Sequence, residues 1–76
     1  MAFALELPMA GEARLEVFDL AGRRVAEVHR ARLDAGRHTL RWDGRGDAGD
    51  ALAPGVYLAR ASAGGASAIT RVVRVR

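Results

Sequence analysis

The feature that most restricts this chain is its punctuation: its apolar positions come in short alternating runs, each closed by a glycine-containing turn. No run is long enough for an ordinary helix. Six β-strands are expected, at Phe3 to Leu7, Ala13 to Asp19, Arg24 to Arg30, Arg37 to Trp42, Val56 to Ala63 and Ala68 to Val75. Turn signals at such even spacing predict an all-β chain, a small antiparallel β-sandwich or barrel of six or seven short strands in one domain.

Period two assigns the faces. In the second run Leu15 and Val17 point inward and Phe18 falls on the opposite face. The turn that follows is Leu20-Ala21-Gly22, where Gly22 supplies a positive φ and the Asp19 carboxylate can accept from the turn amides. Val25 and Val28 lie three residues apart and cannot share a face of an unbroken strand, so a bulge is expected between them. The fourth run places His38, Leu40 and Trp42 on one face and Arg37, Thr39 and Arg41 on the other, with Trp42 as the largest core contributor. From Asp43 to Ala53 almost nothing is apolar, which predicts an exposed loop without a strand of its own. Gly55 and Tyr57 open the fifth run in the manner of a tyrosine corner, whose hydroxyl bonds to upstream backbone. Gly64-Gly65 makes the last hairpin.

Composition narrows the function. A 76-residue domain buries only about three fifths of the surface of its unfolded chain, and many of its apolar residues are alanine, so the few large side chains carry the core. The absence of cysteine excludes a disulfide framework, a thiolate zinc site and a cysteine nucleophile. Lysine, asparagine and glutamine are also absent, which removes Schiff-base chemistry, lysine-asparagine cross-links and N-glycosylation, and suggests a GC-rich genome. The isoelectric point near 11.0 overstates the basicity, since the net charge is only +3 and little titrates between neutrality and arginine. No stretch has the length of a membrane span, and the opening ten residues, interrupted by Glu6 and Pro8, read as a first strand and not as a signal peptide.

Several short patterns invite sharper readings. Arg45-Gly46-Asp47 spells an adhesion tripeptide, but in a chain so rich in these residues a solvated turn explains it. Asp43, Asp47 and Asp50 lack the spacing of a calcium loop, and Asp43 fits better as a cap on the turn after Trp42. His29 and His38 flank a hairpin but have no third ligand or nucleophile, and His38 fits the rim of the core beside Leu40. Ser62, Ser67, Thr39 and Thr70 sit in no activating motif. Four aromatic residues make no stacking platform for nucleic acid. No catalytic residue, cofactor or metal site is therefore expected, and no small-molecule substrate. A protein partner is, with Arg71, Arg74 and Arg76 on the terminal strand as its candidate surface; the alternative role of those arginines is to guard a sheet edge.

Three blocks then carry a family pattern: Leu15-Glu16-Val17-Phe18-Asp19-Leu20-Ala21-Gly22-Arg23-Arg24-Val25, Ala35-Gly36-Arg37-His38-Thr39-Leu40-Arg41-Trp42-Asp43-Gly44, and Gly55-Val56-Tyr57-Leu58-Ala59-Arg60. In order and spacing they resemble the FlgD-type immunoglobulin-like domain, found in the flagellar hook-capping protein and, in closely similar form, in the C-terminal sorting domains of type IX secretion cargo. The matched residues are turns, core positions and the tyrosine corner. The resemblance implies a non-enzymatic module at the C-terminus of a larger secreted or surface protein, targeting or attaching it by contact with secretion machinery. Its alternative is structural assembly in a hook cap or surface fibre, with self-association. The Asn-Pro-rich segment common upstream of sorting domains is not present. Either role implies an extracellular or cell-surface location.

Overall fold

The computed structural model describes residues 1–75, so Arg76 lies outside the described residues. The strands are β1 (Ala2–Leu7), β2 (Gly11–Phe18), β3 (Arg24–Leu33), β4 (Gly36–Arg41), β5 (Gly55–Ala63) and β6 (Ala66–Arg74). They form two antiparallel sheets, a pair β1-β4 and a four-stranded sheet in the order β3-β2-β5-β6. This is the expected all-β immunoglobulin-like sandwich, with every expected strand found within a few residues of its sequence bounds.

The alternation read from sequence sets what lies between the sheets. Leu15 and Val17 are fully buried from β2, Tyr57 and Ala59 from β5, and Leu40 and Trp42 come from β4 and the residue after it. Phe3 pairs with Leu40 and Leu5 with His38 across the two-stranded sheet, so β1 adds its odd residues to the same layer. Alanine also has a structural place: Ala13, Ala26 and Ala59 are at most 2 % exposed, where a larger side chain would not fit against a close-packed neighbour. Phe18 stays out of this core. It lies half-buried on the outer face of the large sheet, with the Arg60 guanidinium 5.1 Å from its ring centroid.

β3 contains two irregularities where one was expected. His29 pairs with Leu15 but Glu27 with Glu16, and Ala26 pairs with Val17 but Arg24 with Phe18, so Val28 and Val25 are each left over. Both pack against the core. Two extra residues in one strand turn two valines inward that strict alternation could not have placed together.

The turns take the chemistry their residues suggest. Asp19 accepts the amides of Ala21 and Arg23 at 3.0 and 2.9 Å, and Gly22 has φ of 89°. Gly64 and Gly65 have φ of 58° and 84°, the pattern of a type I′ hairpin between Ala63 and Ala66. Tyr57 donates its hydroxyl to the carbonyl of Ala53 at 2.7 Å, which is the tyrosine-corner contact. The Trp42 indole N–H donates to the Arg45 carbonyl at 3.0 Å, so a buried donor is satisfied at the start of the β4–β5 loop.

Truncating Trp42 should therefore remove both packing and the loop's first anchor. Trp42→Ala is expected to cost about 3–5 kcal/mol, a large share of the stability of so short a chain. Tyr57→Phe keeps the ring and loses the hydroxyl contact, for about 1 kcal/mol. Chemical denaturation of both variants checks the order: equal losses, or a Trp42→Ala loss below about 1 kcal/mol, would contradict this assignment of the core.

Candidate docking surface

The outer face of the large sheet is a lattice of four rows set by register. Arg24, Phe18, Leu58 and Arg71 lie side by side, as do Glu27, Glu16, Arg60 and Ile69, then Arg30, Arg14, Ser62 and Ser67, with Val56 beside Val73 at one end. One half is a charge network. Glu16 is buried although it faces outward, because it accepts from Arg60 at 3.0 Å on one side and from Arg24 at 3.3 Å on the other. Arg24 also reaches Glu27 at 3.1 Å, so one guanidinium bridges two carboxylates that face each other across the strands.

The other half is apolar and uncovered. Phe18 and Leu58 are half-buried neighbours, and around them Leu20, Ile69 and Val73 are each more than half exposed, with Val56 over a third exposed. This face is apolar where β5, β6 and the β2–β3 turn meet, and a shallow depression lined by Phe18, Leu20, Leu58, Arg60 and Ile69 lies within it. Contiguous exposure of large aliphatic side chains marks a surface that meets a partner.

The arginines of the terminal strand do not form one patch. Arg71 stands opposite Leu58 and faces outward, whereas Arg74, three residues on, has the inward parity of Val72. Its guanidinium lies over Gly44, where an added Cβ would collide with it, and Gly44 has φ of +81°. The backbone at that position favours glycine, and a larger residue would also have to displace the flexible end of Arg74. Neither Arg71 nor Arg74 takes part in an ion pair among the described residues, and the Arg74 Nε is buried without a hydrogen-bond partner.

The β4–β5 loop is not the free turn that its polar composition suggests. Asp47 donates its amide to the Val25 carbonyl at 3.0 Å and accepts the Glu27 amide on its carboxylate at 2.8 Å, so the loop closes the outer edge of β3 at its bulges. Arg45 forms an isolated bridge with Ala51 and donates its guanidinium to the Gly49 carbonyl at 2.8 Å. Leu52 packs on the core. The Arg45-Gly46-Asp47 tripeptide is consequently a clamp whose two charged side chains are already engaged, and Gly46 fits against Val25 and Leu52 at 3.0 and 3.1 Å from where a Cβ would sit. Sequence showed the Asp-rich loop but not its clamp, because the contact joins residues twenty apart through a side chain.

The remaining candidates are dispersed. Asp43 accepts the Arg45 amide at 3.0 Å, as a turn cap would. The His38 ring bonds the Asp34 carbonyl at 2.8 Å, and His29 is half-buried on β3 opposite Leu15. Gly55 opens β5 opposite Arg74. Among the described residues no three histidines or carboxylates converge on one point. A depression of about 630 Å³ between β3, β4 and the clamp is lined by Glu27, Trp42, Arg45 and Asp47, whose polar atoms serve the bonds already named.

Two carboxylates link this surface to pH. The hydrogen bond from Arg60, with Arg24 in support, outweighs burial and holds the Glu16 carboxyl below the ordinary glutamate range. The Arg23 amide, with that residue's side chain, does the same for Asp19. A depressed folded-state pKa contributes stability that is complete above the unfolded value and is lost as pH falls toward the folded one. The domain should thus lose stability as pH drops below about 4. Thermal melts across that range should show a smaller slope for Glu16→Gln combined with Asp19→Asn. An unchanged slope would mean that these two groups do not set the acid limit.

The model of the family described as FlgD Ig-like domain matches residues 1–67 of this chain, which take in the sandwich from β1 through the last hairpin turn. No curated protein gives a significant match.

Proposed function

Since the chain belongs to the FlgD Ig-like domain family, we propose that it is a non-enzymatic structural module that works by docking against protein, as part of an extracellular assembly of the hook-cap or surface-fibre kind. The observation that carries this reading is the uncovered apolar half of the large sheet's outer face, where Leu20, Ile69 and Val73 stand in solvent beside Phe18 and Leu58. Neighbouring exposed aliphatic side chains gathered on one face mark an interaction surface in a way that scattered ones do not. Catalysis lacks a comparable basis, because the Glu27, Trp42, Arg45 and Asp47 groups around the depression beside the β4–β5 loop make structural bonds.

Assembly precedes type IX sorting in this reading because the matching family is the hook-cap type, and the Arg71 and Arg74 side chains diverge to opposite faces. The two roles separate in one assay. With the domain fused behind a reporter in a host that possesses type IX secretion, assembly predicts that the reporter stays inside. Export that depends on the intact, folded domain would establish sorting instead. Ile69→Asp with Val73→Asp tests the face itself: both sites are exposed, so stability should change by no more than about 0.5 kcal/mol, while association of the parent protein should be lost.

A further inference from the structure

The two outer edges of the four-stranded sheet are treated differently. The edge of β3 carries two bulges and is closed by the Asp47 clamp. The edge of β6 is regular over nine residues, paired with β5 without any register shift, and no other described segment pairs with its outer side. A long, unbulged and uncovered edge is a template for another strand.

The space beside that edge is also prepared for one. Two strands cannot cover four, and the inward residues Ala66, Ala68 and Thr70 of β6 are exposed because the partner layer stops at β1. Between β1 and β6 runs a largely apolar groove, in two connected parts of about 340 and 350 Å³ that share Leu5, Glu6, Ala61 and Ala68, with the Glu6 carboxylate 3.8 Å from the Arg37 guanidinium of β4. It opens at the mouth between the two free edges.

Charge selects the occupant. From Ala51 to Arg76 the chain has four arginines and no aspartate or glutamate, while all nine of its acidic residues precede Ala51. On β6 itself, Arg71 stands exposed on the outer face and has no acidic partner among the described residues. A second copy pairing edge to edge would put two Arg71 guanidiniums on the same outer face with no carboxylate on either β6 strand to offset them.

We propose that the free edge of β6 binds an extended acidic strand of another protein by β-augmentation. Backbone hydrogen bonds supply the affinity, apolar side chains alternate into the groove mouth, and carboxylates on the other side of the bound strand meet Arg71 on the outer face. This names an edge and a partner chemistry for the docking reading above and rests on it.

The test uses the whole chain with two labelled nine-residue peptides, one alternating valine with glutamate and one alternating valine with lysine. The glutamate peptide should bind about tenfold or more tightly at low ionic strength, with the difference shrinking as salt is added. Amide hydrogen exchange should slow along β6 and not along β3. Arg71 is exposed, so Arg71→Glu should stay folded and shift the preference toward the lysine peptide. Equal binding of the two peptides, an unshifted preference in Arg71→Glu, or protection confined to other strands would overturn the proposal. Self-association that protects the same β6 amides would also overturn it and name a second copy as the occupant. The reporter assay reads the role and the peptide titration reads the edge, so either can fail while the other stands.

Discussion

The seating of Trp42 is the contact on which the rest of this domain depends. Its ring is the largest side chain in a core that otherwise relies on Leu15, Val17, Leu40, Tyr57, Val72 and the near-fully buried Ala26 and Ala59. Alanine gives close approach but little area, so the tryptophan supplies volume that the small residues leave unfilled. The same residue fixes direction. Its indole N–H holds the Arg45 carbonyl, Asp43 caps the next turn, and Gly44 lets the Arg74 side chain pass, so the chain leaves the small sheet at an angle that brings Asp47 onto β3. One ring therefore joins the packing between layers to the closing of an edge.

What could be read from sequence was whatever local periodicity controls. Leu15 and Val17, or Leu40 and Trp42, are two apart and declare their face at once, and the glycine pairs declare their turns. The tyrosine corner was legible for the same reason, since Tyr57 and Ala53 are four residues apart. Relations between distant strands were not. Glu16 reads as an ordinary outward residue, and only the register of β2 with β3 and β5 puts two arginines over it. The apolar half of the outer face depends on the same register, because Phe18, Leu58 and Val73 belong to three different strands. Arg71 and Arg74 looked like one cluster on a line of text, yet an odd separation on a strand sends them to opposite faces.

The two sides of the molecule embody different solutions to one problem. On the β3 side, bulges, a carboxylate and a loop occupy the unpaired backbone, and the charged tripeptide there is spent on structure. On the β6 side the backbone is left regular and the arginines are left without partners among the described residues. The ion pairs cluster around Glu16 on β2 and β3, whereas the exposed Arg71 of β6 joins none among the described residues. A module that must fold alone and still be joined to something else benefits from keeping these two tasks on separate strands.

The pairing of β1 with β4 carries a consequence for how the molecule comes to exist. The Met1 ammonium bonds the Trp42 carbonyl across 41 residues of sequence, whereas β2–β3 and β5–β6 are hairpins that close through short turns. Closing a long stretch of chain costs more entropy than closing a short one, and that cost comes before the contacts that offset it. Within the domain β1 is made before β4, so until β4 follows it Phe3 and Leu5 have no layer to join. Until β4 is made the apolar side of β1 stays exposed while the β2–β3 hairpin can already close, which makes β1 the point where a chaperone or a neighbouring nascent chain would meet the domain.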